Sequence, residues 1–499
     1  MKKRIIVKPE DRAAFRNLTD YCVGTGRLDL ALHKEYQDQL RIVQEKCHFR
    51  FIRGHGLFSD QMGIYQEFTP PAFIGGETRQ WYCFTYLDRV MDAYLENGLK
   101  PFLELGFMPE KLSGSDQTLF YWKAHTVPPR EMEKWTALVK ETLRHLVARY
   151  GQEEVESWPC EIWNEPNLPG FWENADKPKY LELYRATVTA VKEALPGMRV
   201  GGPAICGGSG SQEWIRDFLA FCRDEKLPVD FVTRHAYMGQ TPEHKGRYLY
   251  HRMNATQVLI DEMQQSRDII DSFPEYRGIP MYITEFNTSY NPFCPIHDTN
   301  ENAAVCASLL SRLGDVADGY SYWTFGDVFE EQGIPTRPFH GGFGMMANGL
   351  IPKPTLWAFS FFANLQGDCV HRDENAVIVK RADGGFEAVL WSLEEDIDVV
   401  LTLPMLGDAA AILETVDEEK SNPLRCWHLM GEPADMNKEQ LQILRAAGQP
   451  AVTALKPEMT AEGALVRVKV SKNAVVRLRL LPAPKYEDAG YDYSYYCEE

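Results

Sequence analysis

Two glutamates stand where apolar runs give way to polar loops. One closes the segment Trp158-Pro-Cys-Glu-Ile-Trp-Asn-Glu165-Pro-Asn167, with Pro166 expected to end a strand directly after the carboxylate. The other sits in Met281-Tyr-Ile-Thr-Glu285-Phe-Asn287-Thr-Ser-Tyr290, after strand formers and before loop-forming residues. Two carboxylates facing each other across an aromatic-lined hole suit cleavage of a glycosidic bond with retention: one attacks the sugar carbon and the other protonates the leaving oxygen, at a separation of about 5 to 5.5 Å. The roles demand different surroundings, because one glutamate must keep its proton near neutral pH while the other stays ionised. Further residues fit the rim of such a hole. His55 lies between Gly54 and Gly56 at a strand end, where a histidine is poorly placed for core packing. His235 and Tyr237 are two apart on one strand and so point to one side. Trp323 ends an apolar run and offers the broad face on which sugar C–H groups stack.

These residues need a scaffold that gathers strand ends. Eight short apolar runs alternate with helical patterns: 21–26, 48–56, 101–107, 158–167, 199–205, 229–237, 281–287 and 319–325. Eight strands each followed by a helix predict a (β/α)8 TIM barrel, whose chemistry sits on the carboxyl ends of the strands. Strands four and seven, carrying the two glutamates, then lie across the mouth from each other. The helices between them show the 3.6-residue period, as in Leu181, Tyr184, Val188, Val191 and Leu195. The last helix is expected over 353–365, started by Pro354 in its first turn. Past residue 366 the period drops to two: Val466, Val468 and Val470 alternate with Arg467 and Lys469, and Val476, Leu478 and Leu480 alternate with Arg477 and Arg479. We read these as neighbouring antiparallel strands turned at 471–473. A second pair, 377–380 and 386–391, is joined through Asp383-Gly384-Gly385. The expected organisation is a catalytic barrel over 15–366 and an accessory C-terminal antiparallel β-sandwich over 367–490. A short capped helix interrupts the sandwich at 437–447, the segment 1–14 supplies it with an edge strand, and 491–499 form an exposed tail.

The 499 residues exceed any small binding module, and 44% hydrophobic with 25% charged residues are globular values. Fifty-three basic against seventy-one acidic side chains give a formal charge of −18, which opposes nucleic acid and anionic membranes as partners. No two of the eleven cysteines stand in C-x-x-C spacing, and several sit in apolar runs, so we read reduced thiols in a cytoplasm. The apolar run of Ile5 to Val7 is too short for a signal-peptide core, and no stretch reaches the length of a membrane span. Gly342-Phe-Gly344-Met-Met-Ala347 fits a loose dinucleotide fingerprint, but Asn348-Gly349 and Pro352 follow where a helix should run, so we read a loop. With no H-E-x-x-H, P-loop or EF-hand spacing, no cofactor or metal is expected.

WPCEIWNEPNLPGFW, VGGPAICGG, DFVTRHAY, ITEFNTSY, SYWTFGDVFEE and FHGGFG together resemble glycoside hydrolase family 39, in its bacterial β-xylosidase branch, from the first strand nearly to the last. The resemblance implies a retaining, exo-acting enzyme that releases xylose from the non-reducing ends of neutral xylo-oligosaccharides, with Glu165 as acid/base and Glu285 as nucleophile. It implies that Asn164 bonds the hydroxyl next to the reacting carbon. It further implies that His55, His235, Tyr237, Trp323, Glu330 and Glu331 line the terminal-sugar subsite, with Phe171 near its edge, and that a cis peptide follows Trp323. It suggests a homo-oligomer. Phe286 departs from the tyrosine expected after the nucleophile. The alternatives are a β-glucosidase, a β-galactosidase, an α-L-iduronidase or a non-catalytic sugar-binding protein; iduronidase is disfavoured, because Glu330 and Glu331 would repel a uronate in the pocket.

Overall fold

The structure is a computed structural model that describes residues 1–405, 407–483, 490–492 and 495–496. Eight parallel strands close into a barrel in chain order: Cys22–Arg27, Phe51–His55, Lys100–Leu105, Cys160–Ile162, Val200–Ile205, Phe231–Tyr237, Met281–Asn287 and Gly319–Tyr322. The expected barrel is therefore present, with three strands ending clearly earlier than read: the third at Leu105, the eighth at Tyr322, just before Trp323, and the fourth shortest of all. The fourth ends at Ile162 rather than at Pro166, because Trp163 (φ 71°) and Glu165 (φ 46°) adopt left-handed backbone that breaks the ladder. Residues 342–345 form a loop, as read from the sequence, whereas Met346–Ala347 pair with Ile351–Pro352 in a short antiparallel ladder.

The surrounding helices bury one stripe each. Lys177–Ala194 opens on Asp176, whose side chain accepts from the Lys179 N–H, and it buries Tyr180, Tyr184, Val188 and Val191, with Leu181 half-buried at the stripe's edge. Pro354–Ala363 has proline in its first turn and is buried all round, as a helix wedged between two layers must be. Phe359 meets the barrel ring of Tyr322 at 4.9 Å, while Phe362 lies 6.0 Å from Trp391 of the second unit.

That second unit is a sandwich of two sheets. One runs Lys2–Ile6, Ile397–Leu403, Gly463–Val470, Glu458–Thr460; the other runs Asp368–Arg372, Ala376–Lys380, Phe386–Trp391, Val475–Pro482, Ala409–Val416, Ala451–Leu455. The strand Lys2–Ile6 lies at a sheet edge, parallel to Ile397–Leu403. The pairing read from the sequence for the two Val/Arg strands is corrected here. Gly463–Val470 pairs with Ile397–Leu403, and Val475–Pro482 pairs with Phe386–Trp391 and Ala409–Val416. The turn at 471–473 carries the chain from one sheet to the other, so Val466, Val468 and Val470 meet Val476, Leu478 and Leu480 across the sandwich core. The capping box of Asn437 and Gln440 opens the helix Lys438–Ala447, and a second helix, Pro423–Leu429, precedes it. Of the tail 491–499, Tyr491, Tyr495 and Tyr496 are exposed, whereas 493–494 and 497–499, Cys497 included, lie outside the described residues. The ten described cysteines are all free thiols, and no described helix is long and apolar enough to cross a membrane.

Candidate active site

The carboxyl ends of the strands surround a cavity of about 520 Å³, lined by His55, Asn164, Glu165, Phe171, Tyr237, Glu285, Trp323 and Glu331 among the residues predicted from the sequence. The two glutamates are nearly closed off, at 6% and 4% exposure. One oxygen of each lies within 4.8 Å of the other and of a His235 ring nitrogen.

Their surroundings differ. Glu285 sits inside the seventh strand, opposite His235 in register. Its Oε1 accepts from Arg53 Nη1 at 2.9 Å and its Oε2 from the Tyr237 hydroxyl at 2.6 Å, while His55 Nε2 stands 3.5 Å away. The guanidinium and the hydroxyl thus fix both oxygens of this carboxylate. Glu165 follows the broken end of the fourth strand, tied by its N–H to Ala204 O at 2.9 Å. Its Oε1 meets His235 Nδ1 at 2.7 Å. Burial, reinforced by the nearby Glu285 charge, holds the Glu165 carboxyl well above the usual carboxylate range. His235 is fully buried behind Glu165 rather than open to the cavity, and burial, with Arg53 adding to it, pushes its ring well below the ordinary histidine value. A neutral imidazole thus supports a protonated carboxyl. Burial and the Glu285 charge keep Tyr237 a hydroxyl donor. Burial opposes a charge on His55, yet the Glu104 carboxylate 2.8 Å from its Nδ1 lifts it above the ordinary value.

Beneath the pair lies a network the sequence reading missed. Arg53, fully buried, contacts Glu285, donates to Asn164 Oδ1 at 2.9 Å and to Glu161 at 2.7 Å, and pairs with Glu104 at 2.8 Å. The signal was available: Phe51, Arg53 and His55 share one face of the second strand.

Trp323 packs 4.6 Å from the His55 ring, its carbonyl accepts from Asn287 Nδ2 at 2.5 Å, and its peptide to Thr324 is cis. Gly24 is required beside it, since a Cβ there would stand 2.6 Å from the indole. Behind this wall Lys353, fully buried, bridges Asp298 and Asp327 at 2.6 Å each and donates to Gly342 O. Glu331 opens on the cavity, and burial pushes its carboxyl to about 8. Glu330 does not line the cavity: its side chain turns to Arg27 at 2.5 Å, which also holds Asp29. Adjacent loop residues project to different sides, which sequence could not resolve. Phe286 packs outward against Tyr320 and Tyr322, both at 5.7 Å, so its missing hydroxyl leaves the cavity untouched.

Glu165, His235 and Glu285 offer three donor atoms at cation-binding spacing, but the Arg53 guanidinium on Glu285 already supplies the positive charge there. Asp60, Glu110 and His125 form a second such group on outer loops.

A barrel mouth with two unlike, facing carboxylates in an aromatic cavity defines the class: a glycoside hydrolase. The chain belongs to glycosyl hydrolases family 39, whose sequence profile matches residues 3–465. It is 43% identical to a β-xylosidase of Geobacillus stearothermophilus over 96% of this chain and 95% of that one. It is 33% identical to a β-xylosidase of Caldicellulosiruptor saccharolyticus over 86% and 88%. A monomeric β-xylosidase from Caulobacter crescentus CB15 superposes with a TM-score of 0.86 at 32% identity, covering 96% of this chain and 99% of its own.

Proposed function

We propose that this protein is a retaining, exo-acting β-xylosidase that releases xylose from the non-reducing ends of short xylo-oligosaccharides. The spacing and inequality of the carboxylates carry this reading: oxygens within 4.8 Å suit direct attack rather than the roughly 6.5 to 9.5 Å that leaves room for a water between them. The substrate class is supported by relatives named β-xylosidases along nearly the whole chain.

In the first step Glu285 Oε attacks the anomeric carbon while Glu165 gives its proton to the departing oxygen. A glycosyl ester forms and the C–O bond to the leaving group breaks. In the second step Glu165, now a carboxylate, takes a proton from water, which displaces Glu285 and restores both groups. Arg53 and Tyr237 each hold one oxygen of Glu285 and aim it. Asn164, fixed by Arg53, is the candidate to bond the hydroxyl next to the reacting carbon. His55, Trp323 and Glu331 form the wall for the terminal sugar, with Phe171 at its edge and His235 acting through Glu165 rather than on the sugar.

In this reading catalysis belongs to 15–366, and 367–490 with 1–14 form an accessory sandwich, of which 406 and 484–489 lie outside the described residues. Ten free thiols support a cytoplasmic setting. The suggested homo-oligomer is tested by light scattering, one solved relative being monomeric. The activity test compares p-nitrophenyl β-xyloside with the β-glucoside and β-galactoside and follows the anomer first formed by NMR. Preference for the xyloside with β-xylose as first product is expected; α-xylose, or no β-xyloside cleavage, refutes the proposal.

A further inference from the structure

The cavity extends past the residues assigned above. One half holds Glu285, His55, Trp323 and Glu331; the other is walled by loops after the fifth and sixth strands and by the helix Thr256–Ser272. The second half begins beside Glu165, whose N–H binds Ala204 at the end of the fifth strand and whose neighbour Asn167 binds the Cys206 carbonyl at 3.1 Å. It therefore lies on the side to which a group protonated by Glu165 departs.

This wall has one apolar and one polar side. Leu168 and Phe171 supply the apolar side, Glu262 and Asn254 the polar one, and Tyr290, half exposed, stands at the rim. Glu262 is not a loose surface carboxylate. Arg234, fully buried on the outward face of the sixth strand, donates to Glu262 Oε1 and to Ser266 Oγ, which fixes the carboxylate at the cavity edge. Glycine at 207 permits the approach, since a Cβ there would stand 3.1 Å from that same oxygen. The second oxygen, Oε2, has no partner among the described residues, and neither has the side-chain amide of Asn254. A fixed acceptor and a free amide opposite an apolar surface match the hydroxylated edge and the C–H face of a pyranose ring.

We propose that this half is a subsite for the sugar on the leaving side of the scissile bond, and that Glu262 sets its preference for a neutral leaving group that donates a hydroxyl hydrogen bond. The inference rests on the reading of Glu165 as the group that protonates the leaving oxygen. Xylobiose and p-nitrophenyl β-xyloside both place a ring there, but only xylobiose carries hydroxyls on it. A hydrogen bond to a charged group contributes roughly 10- to 100-fold in affinity. In Glu262→Ala the ratio of kcat/KM for xylobiose to that for p-nitrophenyl β-xyloside is expected to fall by about that factor, and in Asn254→Ala by about 3- to 10-fold. Asn254→Ala leaves Arg234 paired, so it decides the matter should Glu262→Ala fail to fold. Ser266→Ala disturbs Arg234 without opening on the cavity and is expected to leave the ratio unchanged. An unchanged ratio in the Glu262 and Asn254 variants, or an equal shift in Ser266→Ala, overturns the subsite. Failure of the parent protein to cleave p-nitrophenyl β-xyloside would instead overturn the underlying reading.

Discussion

Glu165→Gln tests most of the proposed mechanism at once. The amide keeps the shape of the side chain and its contact with His235 at 2.7 Å, but it has no proton to give. General-acid assistance accelerates such a step by about 10² to 10⁴, which is about 3 to 5.5 kcal/mol of barrier. That loss is expected in kcat/KM for xylobiose, whose leaving group is a poorly departing alkoxide. On 2,4-dinitrophenyl β-xyloside, which leaves unaided, bond cleavage should slow by less than about tenfold. The second step then limits, giving a burst of phenolate and recovery of turnover by added azide, with a β-xylosyl azide as product. The pH profile adds a second readout. Burial and the Glu285 charge raise the Glu165 carboxyl, so it holds its proton at neutral pH and the basic limb of kcat/KM reports its loss; that limb disappears in the variant. Stability follows with a definite sign. A carboxyl raised on folding contributes stability that is complete below its unfolded value near 4.5 and lost as pH rises through the folded value. Glutamine has no such dependence, so Tm of Glu165→Gln relative to the parent should climb between acid and neutral pH. Equal loss of kcat/KM on both substrates with an intact basic limb would refute the assignment.

Glu285→Ala is expected to abolish turnover, and a 2-fluoro-xyloside inactivator should label Glu285 alone in the parent, as read by peptide mass spectrometry. Arg53→Met strands Glu104, Glu161 and Glu285 without their shared guanidinium and should destabilise the fold by about 3 to 5 kcal/mol in urea unfolding; an unchanged midpoint would contradict the network. Lys353→Met should cost a similar amount by leaving Asp298 and Asp327 facing each other. Trp323→Ala removes the stacking face and should raise KM for xylosides about tenfold, with inhibition by xylose weakened in parallel.

Much of this site could be read along the chain, because a barrel sends chemistry to strand ends and Glu165 and Glu285 stand at the two ends where an apolar run stops at a carboxylate. Period two put His235 and Tyr237 on one side of their strand, but it could not tell that Tyr237 reaches the cavity while His235 stays buried behind Glu165. The same rule, applied to the second strand, would have exposed Arg53, which shares the face of His55; a charge inside FRFIRGHG is the kind of local conflict that marks a functional interior. Glu104 and Glu161 carry the same mark in their apolar runs. Glu330 and Glu331 could not be separated, since neighbouring loop positions have no fixed period. The Val/Arg strands show another limit. Alternation tells which face of Val466 or Val476 is buried, but both sheets of a sandwich ask for the same alternation, so the pattern cannot choose the partner strand.

The edge strand Lys2–Ile6 has a consequence for how the molecule is made. Its partner is Ile397–Leu403, and the Met1 amino group reaches Asp396 O, 395 positions along the chain. At about 5 to 20 residues per second, roughly 20 to 80 seconds of translation separate the two sides of that ladder on the ribosome. The barrel segments emerge within this interval and have their hydrogen-bond partners at hand, while Lys2–Ile6 waits as an unpaired edge, a template for pairing with another nascent chain. Lys2, Lys3 and Arg4 place three successive cations on that waiting strand, and like charges on neighbouring copies oppose their pairing. The basic edge strand of this acidic protein thus stays guarded until Asp398 arrives opposite Lys2.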